Sequence, residues 1–177
     1  MTRETLGKIM LIMPSSVFFF ILVPLASLYV GMRVDALSGL MTLELGKGGI
    51  FVASLLLLVG TYFVLGSIQV LLVEGGGVPL GDVLPSGQST DLVTSGVYRL
   101  TRNPMLFGYL LCLIAQGILL KSMTTALIIP ILFICLWSVW LKKREEPGLE
   151  ARFGETYRAY RKRTPFLVPR PWRKFEQ

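Results

Sequence analysis

Two groups of side chains in this sequence have the types and spacing to hold a charged ligand. Tyr98, Arg102 and Asn103 stand directly before an apolar run, within GVYRLTRNPMLFGY. Glu145 and Glu146 stand directly after another apolar run, within LKKREEPGLE. If those two runs form a helical hairpin, the two groups share one end of it. A guanidinium and an amide can hold a carboxylate, and a carboxylate pair can hold an ammonium or a hydroxyl. Together they suit a zwitterionic ligand with an amino-acid end. Each group also has a plainer reading, the arginines as interfacial anchors and the glutamates as a favourable first turn of the next helix.

The composition removes several rival chemistries. The chain has no histidine, which excludes His-based metal sites, His general bases and Ser-His-Asp triads. No metal site is expected. Cys112 and Cys135 both lie inside apolar segments and read as small hydrophobes. The glycine-rich stretch Glu74–Asp82 reads as a linker, because it lacks G-x-G-x-x-G spacing and no strand precedes it. The net charge of +7 could suggest nucleic acid, but most of the excess follows the last apolar run, so membrane lipid is the expected partner and nucleic acid is not.

Positioning these groups falls to helices in lipid. Of 177 residues 53% are hydrophobic and 16% charged, well below the roughly 25% charge of soluble domains. Four apolar spans are expected, at 9–30, 49–73, 105–120 and 123–141. At ~1.5 Å per residue the third spans only about 24 Å, less than the ~30 Å hydrocarbon core. Only Lys121 and Ser122 separate it from the fourth, so the last two spans read as a tight hairpin. Pro24 and Pro130 fall inside spans, where neighbouring helices can satisfy the freed carbonyls. The first apolar run exceeds a signal-peptide core in length and reads as a retained span.

Lysine and arginine set the orientation. With four spans, Arg3, Lys8, Arg99, Arg102 and the cations from Lys142 onward share one side, and Arg33, Lys47 and Lys121 lie on the other. Both termini and the two polar groups are therefore expected in the cytoplasm. After the fourth span, Leu149, Phe153, Tyr157 and Tyr160 recur at helical spacing with basic residues on other faces. This predicts a cytoplasmic amphipathic helix lying on the bilayer. The fold class is an all-α integral membrane protein, a single membrane domain over 1–177 with about four transmembrane helices plus that C-terminal helix.

LVTSGVYRLTRNPMLFGY, followed by EEPGLEARFGETYRAYRKRTP, resembles the isoprenylcysteine carboxyl methyltransferase and phospholipid N-methyltransferase superfamily. The resemblance covers roughly Thr90 to Pro169 and rests on both motifs at this separation. It implies an integral membrane enzyme that uses S-adenosylmethionine as methyl donor on a lipophilic small molecule or lipid, bound by the cytoplasmic ends of the last helices within about 90–169. Carried over residue by residue, Thr90, Asp91, Leu92, Val93 and Tyr98 would line the cofactor pocket. So would Arg102, Asn103, Pro104, Met105 and Leu106, with Glu145 as the better cofactor ligand of the pair. Arg102 and Glu146 would act in catalysis. Many relatives have His where Asn103 stands and an aromatic residue where Leu106 stands. The substrate-side arginine of prenylcysteine enzymes falls on Leu141, with Lys142 the nearest cation. O-methylation of an isoprenylcysteine-like carboxylate is the favoured expectation. N-methylation of a phospholipid or aminolipid, a non-catalytic lipid-binding adaptor and an NADPH-dependent membrane reductase stay open.

Overall fold

A computed structural model describes residues 17–40, 42–77 and 89–170. These residues are helical, with no strand among them. Helix α1 is Val23–Ser38, entered through a π turn at Phe18–Leu22. Helix α2 is Gly46–Val73. A 3₁₀ turn, Gly96–Arg99, leads to α3, Pro104–Leu119. A π turn at Thr124–Ile128 opens α4, Ile129–Trp140, and another at Leu141–Glu145 joins it to α5, Glu146–Arg163. Three helical runs are long and apolar enough to cross a membrane: Phe18–Ser38, Gly46–Val73 and the combined run Thr124–Arg163. The apolar α3 is shorter, as its sequence predicts. Leu25, Phe51, Leu58, Ile131 and Leu136 project outward from these helices. In water such a surface would aggregate, whereas in lipid it costs nothing.

The boundaries differ from the expected ones where polar side chains find partners. Residues 9–16 lie outside the described residues. The first helix continues past Val30 to Ser38, because Arg33 covers the Tyr29 ring and Asp35 is bound by the hairpin turn. The Asp35 carboxylate accepts from Ser122 Oγ at 2.5 Å, from the Thr124 backbone N–H at 3.1 Å and from the Thr124 hydroxyl. It thereby caps the start of the last helical run from a neighbouring helix. The α3–α4 turn at Leu120–Ser122 is tight, with Lys121 at φ 55° and the Ser122 N–H donating to Gly117 O at 2.9 Å.

All three π turns share one cause. Each is followed, two residues on, by a proline: Pro24, Pro130 and Pro147. Proline lacks an N–H and its ring crowds the carbonyl one turn back, so widening the turn by one residue relieves the clash. The Val23 N–H closes the first π turn onto Phe18 O, and the next carbonyl in that register, Phe19, faces Pro24. The Tyr109 hydroxyl of α3 donates to Phe19 O at 2.7 Å. One turn further along, Gln116 Nε2 donates to Pro24 O at 2.9 Å and Ser27 Oγ donates to Gln116 Oε1 at 3.2 Å. These bonds tie α1 to α3 in the apolar layer, where an unpaired carbonyl costs several kcal/mol, of order 2–7.

The α2–α3 contact is the most extensive in the bundle. A Cβ at Gly108 would lie 2.5 Å from Gly60 O, and one at Gly60 would lie 2.7 Å from Gly108 O. Small residues let the backbones meet, as lipid-embedded helices require. The site end of α3 is thereby fixed against α2.

The C-terminal helix departs from expectation. The apolar stripe predicts one continuous helix lying on the bilayer, but Gly154 has φ 52° and ψ −126°, and the helix reverses there. Arg158 Nε reaches Glu150 Oε1 at 2.6 Å, and Arg161 Nε reaches Glu146 Oε2 at 3.7 Å. Residues 15 apart in a straight helix would be about 22 Å apart. Tyr157 and Tyr160 consequently bury against the rest of the protein. The stripe is continuous in spacing but not in space.

Only glycine adopts the Gly154 conformation without strain. No heavy atom lies within 4 Å of a Cβ built there, so Gly154→Ala isolates the backbone effect. The substitution is expected to lower stability by ~1–3 kcal/mol. It should expose Tyr157 and Tyr160 to hydrogen–deuterium exchange or proteolysis in detergent. An unchanged exchange pattern and thermal midpoint would contradict the reversal.

Candidate active site

The site lies where the 3₁₀ turn and the start of α3 meet the two halves of α5. After α5 the chain turns back as a strap, 164–170, alongside Leu100–Asn103. The Arg102 backbone N–H donates to Pro165 O at 2.9 Å, and Arg170 N–H donates to Leu100 O at 3.2 Å. Thr101, fully buried, donates its hydroxyl to Phe166 O at 3.2 Å. Asn103 Nδ2 donates to the same carbonyl at 2.8 Å. Pro104, which needs no donor, then starts α3 in the position proline favours. Tyr160 OH adds a bond to Tyr98 O at 2.7 Å.

This frame buries the Arg102 side chain to 12% exposure and sets it against Glu146, itself 10% exposed. Arg102 Nη1 donates to Glu146 Oε1, and Tyr157 OH lies 3.5 Å from the same nitrogen. The guanidinium lies over the Phe166 ring at 5.6 Å, and Lys142 Nζ approaches that ring at 4.9 Å. Arg102 Nε is buried and has no hydrogen-bond acceptor among the described residues. On the other oxygen of Glu146 lies Arg161, which also reaches Glu150 Oε2 at 3.5 Å. These groups border an open cavity of about 450 Å³ lined by Arg102, Lys142, Glu146, Pro147, Glu150, Arg161 and Phe166. It is mixed in charge, three cations against two carboxylates, and walled on one side by an aromatic ring.

Of the residues expected from sequence, Arg102 and Glu146 meet in the cavity wall. Asn103 stands beside them, its amide committed to the strap. Leu106 and Leu141 belong to the apolar cluster against which Phe166 and Leu167 pack. Pro104 is buried and Met105 half-buried at the same helix start. Tyr98 lies in the 3₁₀ turn that precedes them. Burial, and secondarily the nearby Glu145 carboxylate, push its phenol well above the ordinary value, so it stays protonated. The segment Thr90–Val93 lies beyond this, on the far side of the 3₁₀ turn. Thr90 N–H donates to Gly75 O at 2.9 Å, Thr90 Oγ1 bonds Asp91, and Val93 is buried while Leu92 is half-buried. Arg152 of α5 donates to Ser89 O at 3.1 Å and links that segment to the site helix.

Four lining residues escaped the sequence reading: Glu150, Arg161, Phe166 and Pro147. Arg161 and Glu150 become neighbours of Glu146 only through the Gly154 reversal. Phe166 reaches the cavity only because the strap doubles back. The stretch TPFLVP after the helix was the available signal for it.

Residues 49–156 match the phospholipid methyltransferase family. The chain belongs to this family. The match includes most of α2, the 3₁₀ turn, α3, α4 and the Glu145–Glu146 pair, and it ends before the cavity residues Arg161 and Phe166. Among curated proteins, the chain is 36% identical over 85 residues to methanethiol S-methyltransferase 2 of Bradyrhizobium diazoefficiens, covering 48% of this chain and 30% of that protein. It is 28% identical over 97 residues to protein-S-isoprenylcysteine O-methyltransferase of Schizosaccharomyces pombe, covering 52% of this chain and 40% of that protein. The matched segment thus spans well under half the length of either relative. Family membership and the apolar helices make this an integral membrane protein.

Breaking a buried ion pair leaves an uncompensated charge. Glu146→Ala is therefore expected to destabilise the protein in detergent by roughly 3 kcal/mol. Glu155→Ala, which removes a surface partner of Arg158, should leave stability unchanged. Equal thermal midpoints for the two variants would show that Arg102 does not depend on Glu146.

Proposed function

We propose that this protein is an S-adenosylmethionine-dependent methyltransferase acting in the membrane on a lipophilic acceptor, with O-methylation of an isoprenylcysteine-like carboxylate as the favoured reaction. The observation that carries the reading is the buried Arg102, held by Glu146 at the cavity wall with its Nε lacking an acceptor among the described residues. A buried donor without an acceptor is costly and is expected where a ligand completes the site. The cavity's groups fit S-adenosylmethionine: a guanidinium for its carboxylate, Glu146 and Glu150 for its ammonium, and the Phe166 face beside a cationic centre, with Glu145, next to Glu146 in sequence, expected to join them. In this reading Tyr98 and the segment Thr90–Val93 would extend the pocket along the 3₁₀ turn, and Asn103, Pro104, Met105 and Leu106 would line it at the start of α3. When bound, the cofactor supplies a methyl group already activated on sulfur.

The chain's own residues then orient, exclude water and handle charge. Arg102 fixes an anionic group beside the reacting centre. Asn103 and Thr101 hold the strap, and with it Phe166, across the cavity. Leu106, Leu141 and the Phe166 ring keep that wall apolar. A carboxylate acceptor is ionised at neutral pH, since its reference pKa is about 4, and needs no base. An amine acceptor would pass its proton to Glu146 or to water. The lipid-facing apolar helices offer a lateral route for a lipophilic acceptor, and the cavity end of the bundle, with both termini, is assigned to the cytoplasm by its excess of Lys and Arg. The cofactor-binding part is 90–169 within a single membrane domain. The names of the two relatives describe methyl transfer to sulfur in one case and oxygen in the other, which supports the reaction class and leaves the acceptor to experiment.

Titration calorimetry in detergent should show saturable binding of S-adenosylmethionine. Arg102→Ala should weaken it on the order of tenfold or more, and Arg173→Ala should not. Absence of heat at millimolar cofactor would sink the reading. With labelled methyl donor and a total lipid extract, the labelled product is expected to be base-labile, as an ester is. A base-stable product would move the assignment to N-methylation, and binding of lipid without any transfer would favour an adaptor.

A further inference from the structure

Arg161 is the one cavity cation contributed by the returning half of α5. It lies 3.7 Å from Glu146 Oε2 and 3.5 Å from Glu150 Oε2, both longer than the 2.7–3.2 Å of a hydrogen bond. Its side chain is 49% exposed and it borders the cavity. A planar guanidinium presents five donors in a fork that matches a carboxylate bidentately. Here that fork is held near two carboxylates without closing on either.

Arg102 is placed differently. It grips Glu146 Oε1, and its Nε is buried without an acceptor. The two guanidiniums therefore approach Glu146 from its two oxygens and both border the same cavity. Neither has its donors fully used among the described residues. An incoming carboxylate can accept from both, and Glu146 and Glu150, relieved of part of their cation contact, stay free to accept from an ammonium. Lys142 is on the α4 side of the cavity, against the Phe166 ring, and is not part of this pair.

Resting on the cofactor reading above, we propose that Arg161 pairs with Arg102 to clamp the carboxylate of the cofactor's amino-acid end. Arg161 is thus a ligand-binding residue delivered by the Gly154 reversal. The reversal that buries Tyr157 and Tyr160 also brings Arg161 to the cavity, where a surface ion pair at such separations contributes little to stability.

The test compares binding of S-adenosylhomocysteine with that of its decarboxylated analogue, by calorimetry on the full-length protein in detergent. Wild-type protein is expected to prefer the carboxylate-bearing ligand. Arg161→Ala should lose on the order of tenfold affinity for S-adenosylhomocysteine, with affinity for the decarboxylated analogue unchanged. Arg161→Lys should recover only part of the preference, because an ammonium lacks the fork. Lys143→Ala, an exposed charge outside the cavity, should alter neither affinity. A uniform loss for both ligands in Arg161→Ala, or no loss, overturns the clamp while leaving the cofactor reading standing. Failure of wild-type protein to bind either ligand overturns both.

Discussion

A buried guanidinium at the edge of a bilayer dictates much of this architecture. Taking the Arg102 charge out of water costs several kcal/mol, and only a close carboxylate with further hydrogen bonds offsets it. Glu146 supplies the carboxylate, Tyr157 a hydroxyl and Phe166 a ring face. These three residues come from the first half of α5, its returning half and the strap beyond. Each must fold onto the 3₁₀ turn for Arg102 to be tolerated, so the C-terminal quarter of the chain and the start of α3 form one cooperative unit.

Backbone bookkeeping in the apolar layer follows the same logic on a smaller scale. Three prolines sit where helices would otherwise be regular, and each is preceded by a π turn. The widened turn near Pro24 leaves Phe19 O to a neighbour, and Tyr109 takes it. The turn before Pro147 lies at the cavity, where it sets the facing of Glu146 relative to α4. Proline thus does two things here. It locks one helix to another in lipid and it rotates the Glu146 carboxylate into place.

The charge pattern at the cavity explains how a site of ions persists beside a membrane. Arg102, Glu146, Arg161, Glu150 and Arg158 form an alternating series from the buried centre to the surface. The buried pair at one end and the surface pair Arg158–Glu150 at the other are both close, and the long contacts are those of Arg161 between them. Arg161 is thus the least committed cation of the series, whereas the buried pair holds the fold.

The sequence by itself determined the class of solvent, the apolar helices, the short α3 with its tight turn and the polar groups at one end. Those follow from composition and periodicity, which are local. It also exposed Arg102 and the glutamate pair, because two arginines before an Asn-Pro and two carboxylates after a span are anomalous in lipid. It misplaced the end of the first helix, since the partners of Arg33 and Asp35 are remote in sequence. Nor could it show the C-terminal reversal, because Leu149, Phe153, Tyr157 and Tyr160 keep helical spacing through a glycine whose φ and ψ are set by what the two halves pack against. Only the tertiary structure decided that Glu146 meets Arg102, and that Arg161 and Phe166 join them. Those contacts span 15 to 64 residues of chain, and long-range closure of that kind is paid for by packing that no window of sequence contains.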